Sequence, residues 1–248
     1  MLIYFISDVH LGYYTGKKNN EIEHVLLSFL DIISTNCQIL VIVGDLFDFW
    51  FDYKTVIPKH FFRTVAKLDD LKRMGKEIIY LMGNHDFGHF QFFKKELGIE
   101  VIENDISIEF FGKKFYISHG DGKIKNDLGY LILKQILRNK ISRYFFRFIH
   151  PDLGIFVAKN SSRKSRKYTH NRSKKNFDSL FDFAKQKIDQ GYDFVIMGHT
   201  HKPEIRSYKG GFYINLGDWL SKPMVGIFDG FEIKLVPVEQ IIKNKIKE

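Results

Sequence analysis

Five short apolar runs in this chain each end in a cluster of Asp, Asn, His and Gly. Leu2–Ser7 runs into Asp8-Val9-His10, and Ile39–Val43 into Gly44-Asp45. Ile78–Met82 runs into Gly83-Asn84-His85-Asp86, Lys114–Ser118 into His119-Gly120-Asp121, and Asp193–Met197 into Gly198-His199-Thr200-His201. In α/β proteins the carboxyl ends of the strands form the ligand crevice. Five ends delivering metal-ligating residue types to one rim are hard to explain by packing.

The segments between these runs are helical in pattern. Ile22, Val25, Leu26, Phe29, Leu30 and Ile33 form a stripe within Glu21–Thr35. Pro58 opens a second helix at the favoured first position, and Gly75 closes it. Phe177, Leu180, Phe181, Ala184 and Ile188 mark another, stopped by Gly191. Ile106–Phe111 and Lys114–Ser118 flank Gly112-Lys113 as a hairpin. Further strands are expected around Phe212–Ile214, Val225–Phe228 and Phe231–Val236, with Asp229-Gly230 as a tight turn. Alternation first and hairpins later indicate an α/β protein with a mixed sheet or two stacked sheets.

The charge is uneven. Lys123–Lys175 holds 15 Lys or Arg against two acids, Asp127 and Asp152, a net of +13 within a chain total of +9. The same segment breaks the strand–helix alternation. It is read as a basic helical cap, 123–175, inserted between core segments 1–122 and 176–248. Leu128, Leu131, Ile132, Ile136 and Leu137 give it an apolar stripe. Lys134, Arg138, Lys140, Arg143 and Arg147 give it charge, with Tyr144, Phe145, Phe146 and Phe148 between them. That pattern fits an interfacial helix or an anionic, acylated ligand. A solvated lysine-rich face is the bland alternative, and core packing would explain the stripe without the charge.

No apolar run reaches the roughly 20 residues of a spanning helix. The start, Met1-Leu2-Ile3-Tyr4-Phe5-Ile6, lacks a basic n-region. One cysteine, Cys37, makes no internal disulfide. The expectation is an intracellular, soluble or peripheral protein.

The ligand set of the five clusters is Asp8, His10, Asp45, Asn84, His119, His199 and His201. Asp8 and His10 are two apart, so in extended backbone both side chains point the same way, and His199 and His201 repeat the spacing. Gly83 and Gly198 allow close backbone approach. Seven ligands are too many for one cation and suit two sharing a carboxylate, with Asp45 the natural bridge. Two ions about 4 Å apart clamp the attacking and leaving oxygens of a phosphoryl displacement. Mixed imidazole, carboxylate and amide donors favour Mn, Fe or Zn over Mg or Ca.

These blocks, in this order, resemble the calcineurin-like metallophosphoesterases. The resemblance implies an αββα sandwich of two mixed sheets flanked by helices. One divalent ion would take Asp8, His10, Asp45 and His201; the other, Asp45, Asn84, His119 and His199. His85 would not be a ligand but would stabilise the transition state or protonate the leaving oxygen. Ser7-Asp8-Val9-His10-Leu11-Gly12, Gly44-Asp45-Leu46-Phe47-Asp48-Phe49-Trp50, Gly120-Asp121-Gly122, the basic Ser161–Lys167 stretch and Leu216-Gly217-Asp218-Trp219 are similar, more narrowly, to UDP-2,3-diacylglucosamine diphosphatases. Those enzymes of lipid A biosynthesis release UMP and 2,3-diacylglucosamine 1-phosphate, and their helical cap holds the acyl chains. The enterobacterial members resemble Gly-Asn-Arg-Asp where this chain has His85.

On this resemblance the cofactors are two divalent ions, with Mn(II) expected. Substrate contacts are expected at Asp127, Arg163, Lys164, Arg166 and Lys167. The partner is the acylated UDP-sugar, met on the cytoplasmic face of the inner membrane, and no nucleic acid is expected. The rivals are a phosphoesterase of other nucleotides or nucleic acid, and a non-catalytic module that holds RNA or membrane. Asp127 is equally an N-cap. Asp48 and Asp86 are either orienting partners of histidines or turn formers. Phe47, Phe49, Trp50 and Phe51 are read as core before acyl groove. His24, His60, His89, His150 and His170 are read as structural.

Overall fold

The computed structural model describes residues 2–123, 135–157 and 173–247. One six-stranded sheet runs β11-β10-β1-β2-β3-β4, and a second, five-stranded, runs β5-β6-β7-β9-β8. In the first, β1 (Leu2–Ile6), β2 (Cys37–Val43), β3 (Glu77–Leu81) and β4 (Val101–Ile102) are parallel. β10 (Met224–Phe228) and β11 (Ile233–Pro237) extend that sheet antiparallel beside β1. In the second, β6 (Lys113–Ile117), β7 (Phe194–Met197) and β9 (Gly211–Asn215) are parallel. The antiparallel edges there are β5 (Ile106–Phe110) and β8 (Glu204–Tyr208).

The near-continuous apolar strands follow from burial on both faces. In β1, Ile3 and Phe5 face the second sheet, while Tyr4 and Ile6 face the helices. In β2, Val41 and Val43 face inward, while Leu40 and Ile42 meet α1 (Lys17–Ile33) and α2 (Phe62–Arg73). Fully buried Phe115 stacks on Phe5 at 5.9 Å and on Phe194 at 4.8 Å, tying the sheets together. Each such ring contributes about 1.5–3 kcal/mol through its burial. The outer face of the second sheet is covered by the helix Ser173–Asp189 through Leu180, Ala184 and Ile188. The layers are therefore helix, sheet, sheet, helix, the expected αββα order.

Three details depart from the sequence reading. The first hairpin turns on Phe111-Gly112, one residue earlier than expected, because Phe110 pairs with Lys113. Both turn residues take positive φ, 52° and 74°, as a primed two-residue turn demands. Asp229 and Gly230 belong to a longer loop, in which Asp229 Oδ1 accepts from the amides of Phe231 and Glu232. Finally, β8 and a last helix, Val238–Lys247, were not anticipated.

Phe47, Trp50 and Phe51 are 0% exposed and Phe49 5%, so the aromatic run is core. Phe49 and Phe51 also receive Phe146, from the helix Lys140–Phe146, at 6.1 and 4.6 Å. Cys37 is a buried packing residue whose thiol is pushed up to about 12 by burial. Among the described residues no helix is long and apolar enough to cross a membrane.

Candidate active site

The seven expected ligands and His85 lie together, at the carboxyl ends of β1, β2 and β3 in one sheet and β6 and β7 in the other. His10 Nε2 is 3.2 Å from His201 Nε2, and the Asp8 Oδ1 oxygen is 3.5 and 3.3 Å from these two nitrogens. Beside them, Asn84 Oδ1 is 3.0 Å from His119 Nε2 and 2.9 Å from His199 Nδ1. Asp45 stands between the two groups. Its Oδ2 is 3.7 Å from His10 Nε2 and 3.3 Å from His119 Nε2, while its Oδ1 accepts from the His85 amide at 2.8 Å. One carboxylate oxygen is thus engaged by the loop and the other faces both donor sets.

The backbone that delivers these side chains is unusual. Asp8, His10, Asp45, His199 and His201 all have φ between 51° and 68°. The spacing of two does place each pair on one side, but not through extended backbone. The chain has left the strand at these points and crosses its end in left-handed steps that L-residues rarely take. Close approach is built in: a Cβ on Gly83 would lie 2.0 Å from Asp45 Oδ1, and one on Gly198 would lie 2.3 Å from Asp8 Oδ2.

Orienting contacts surround the cluster. His119 Nδ1 is 2.8 Å from the Val43 carbonyl, which aims Nε2 at the site. Asp8 Oδ2 accepts from Ser7 Oγ and from the His199 amide. Asp48 Oδ1 is 3.6 Å from both His10 Nδ1 and His85 Nδ1, so its orienting role is supported. Asp86 instead forms the turn: it accepts from the Gly83 and Leu46 amides and from Tyr80 Oη. Asp218 Oδ2 faces His201 Nδ1 at 3.7 Å. Sequence reasoning gave Asp218 no role, although its Leu-Gly-Asp-Trp setting stood out.

The donors fit a pair of divalent cations. Asp8 Oδ1 is buried and receives no hydrogen bond, a costly state unless a cation faces it. Burial pushes the Asp8 and Asp45 carboxyls up, yet neighbouring histidines, His119 foremost, hold both well below the usual carboxylate range. In turn, burial pushes His119 down, but Asp45 and Asp8 hold it up at about 10. His199 is lowered to about 4 by burial and by His119. A field that draws a proton onto a buried imidazole is one a metal takes over by displacing that proton. Among the described residues, three sets of carboxylates and imidazoles have ligand atoms within 4.8 Å of one another: Asp8-His10-His201, His10-Asp45-His85 and Asp8-Asp45-His119. His85 thus also comes within reach of the first site. The expected substrate contacts Asp127, Arg163, Lys164, Arg166 and Lys167 lie outside the described residues.

The family model of the calcineurin-like phosphoesterases matches residues 1–203. The chain belongs to this family. It is a metal-dependent phosphoesterase. A UDP-2,3-diacylglucosamine hydrolase of Porphyromonas gingivalis is 31% identical over 259 residues, covering 96% of this chain and 98% of the relative. Another, from Haemophilus ducreyi, is 29% identical over 222 residues, covering 88% of this chain and 92% of the relative. Among solved structures, an archaeal phosphodiesterase aligns over 96% of this chain and 99% of its own, at 17% identity and a TM-score of 0.48.

Proposed function

We propose that this chain hydrolyses the diphosphate of UDP-2,3-diacylglucosamine to UMP and 2,3-diacylglucosamine 1-phosphate, in lipid A biosynthesis. The observation that carries the substrate is the surface of 135–157. Ile136, Ile141, Tyr144, Phe145, Phe148 and Phe156 are between 54 and 72% exposed there. Exposed apolar side chains of this density, in a segment that also carries Lys140 and Arg147, suit an acylated anionic substrate and a membrane surface. The full-length similarity to two UDP-2,3-diacylglucosamine hydrolases supports the same choice.

On this reading 123–175 is a cap over a core of 1–122 and 176–248. One site is held by Asp8, His10, Asp45 and His201, the other by Asp45, Asn84, His119 and His199, and Mn(II) is the expected metal. When bound, the two ions supply positive charge to the phosphate oxygens and acidify a water. His85 is 13% exposed and its Nδ1 faces Asp48, so it works through Nε2, placing a proton on the leaving oxygen. Asp127, Arg163, Lys164, Arg166 and Lys167 meet the substrate. The protein acts at the cytoplasmic face of the inner membrane.

The test is release of UMP by Mn-loaded protein from diacylated UDP-glucosamine, compared with acyl-free UDP-glucosamine and with RNA and DNA. The expected result is turnover of the acylated substrate, with kcat/KM lower by about 10²-fold or more without the chains. Cleavage of nucleic acid with no UMP from the acylated substrate refutes the reading.

A further inference from the structure

The loop after β3 carries Asn84 and His85, and two arginines from outside the core grip its ends. Arg138 Nη2 donates to the carbonyl of Gly83 at 2.9 Å and lies 3.4 Å from the Met82 carbonyl and from Asp121 Oδ2. Its Nη1 donates to the Glu103 carbonyl at 2.9 Å. Arg143, only 5% exposed, reaches the carbonyls of Phe87 and His89 at 3.4 Å and pairs with Glu103 Oε1 at 2.8 Å. Both belong to the helical stretch 135–147, within whose amphipathic pattern the sequence assigns these two arginines only charge.

The carbonyls of Met82, Gly83, Phe87 and His89 lie past the end of β3. Asn84 sits between Gly83, whose carbonyl Arg138 holds, and His85, whose amide Asp45 holds. Its Oδ1 must meet His119 and His199 together, at 3.0 and 2.9 Å. Such convergence tolerates errors of only about 0.5 Å. A guanidinium presents five N–H groups in a rigid fork, so one side chain fixes several carbonyls at once.

We propose that Arg138 and Arg143 are positioning residues for the loop that presents Asn84 and His85, and that Arg138 sets the place of Asn84. The two make the 135–147 stretch part of the phosphoesterase machinery, not only a shelter for substrate. The inference rests on Asn84 and His85 serving that site, and is independent of the acylated substrate.

The experiment uses full-length, Mn-loaded protein with bis(p-nitrophenyl) phosphate, a substrate too small to need the cap. Arg138→Ala, Arg138→Lys, Arg143→Ala and Asn84→Ala are compared with the wild type. Mn per chain, kcat, KM and amide exchange over 82–90 are measured. For Arg138→Ala, Mn affinity at one of the two sites is expected to fall about 10–100-fold. Its kcat should fall by about 10²-fold, the effect of misplacement near 1 Å, with KM changed less than about threefold. Amide exchange should speed up at Asn84–Phe87. Arg143→Ala should speed exchange at the Phe87 end. Arg138→Lys should recover only part of the activity, since an ammonium cannot span the same acceptors. That variant decides the matter if Arg138→Ala does not fold. Unchanged Mn binding and kcat in Arg138→Ala, or wild-type behaviour of Arg138→Lys beside an impaired Arg138→Ala, overturns the proposal. If Asn84→Ala also binds two ions and turns over normally, the reading of the site itself fails.

Discussion

His89 offers a clean link between burial and pH. Its ring stacks on Trp50 at 5.7 Å and meets the edges of Tyr80 and Phe93 at 5.0 and 4.9 Å. Both ring nitrogens are buried with no hydrogen-bond partner. Burial, reinforced by the Arg143 charge, holds it down at about 3, from an ordinary 6.5. The folded pKa is depressed, so the neutral ring's contribution is complete above pH 6.5 and is lost as pH falls towards 3. At pH 5 the unfolded chain has taken up a proton that the folded ring refuses. That difference is about 1.5 pH units at 1.4 kcal/mol each, or about 2 kcal/mol. In His89→Phe the term disappears, and the two partnerless nitrogens go with it. For a chain of this size, 2 kcal/mol corresponds to about 4–8 °C in Tm. Thermal unfolding of both proteins at pH 8 and pH 5, in chelator so that metal release does not intervene, isolates the effect as a difference of differences. The variant's Tm should fall less between the two pH values, by that amount. Parallel shifts in the two proteins would show that His89 titrates normally and would refute the argument.

His85→Ala should keep both ions while kcat drops about 10²–10⁴-fold, the range of positioned acid catalysis, as elemental analysis and steady-state kinetics will show. Asp45→Ala should lower bound Mn from two ions to fewer than one, because its Oδ2 faces both donor sets; retention of one tightly held ion would argue against a bridge. Asp52→Ala removes the acceptor for Trp50 Nε1 and for the amides of Phe90, Gln91 and Phe92, and should cost about 2–4 kcal/mol in urea unfolding. Phe111→Asn, at φ 52° in a primed turn, should raise stability by about 1 kcal/mol in the same assay.

The sandwich and the clustering of the candidate ligands were legible because they are written in two separable patterns. Runs such as Leu2–Ile6 and Ile39–Val43 are apolar throughout, and that follows from burial on both faces. The residues after them are polar where packing has no use for polarity. What escaped was weaker in pattern. β8 is an edge strand, Glu-Ile-Arg-Ser-Tyr, and its residues alternate between half-buried and exposed. Among its described side chains, the helix Val238–Lys247 meets the apolar core through Val238, Ile241 and Ile242, too short a stripe to stand out. Arg138 and Arg143 were read as charge because most of their partners are backbone carbonyls more than 30 residues away, which no local pattern records. The left-handed ligands were invisible for a related reason. Spacing fixes which residues can converge, but not the path the chain takes between them.

Those left-handed steps place stability and activity in opposition. A left-handed L-residue costs about 1–2 kcal/mol, less for Asp, and net domain stability is only about 5–15 kcal/mol. Five such residues, two of them bearing carboxylates packed against each other's field, make the bare rim a costly part of the fold. Replacement of His10, His199 or His201 by glycine relaxes the backbone at the same stroke that removes a candidate ligand. A lineage released from the need for turnover therefore drifts thermodynamically downhill as it loses these residues. Stability of the bare fold and a full set of donor side chains therefore pull against each other at these positions.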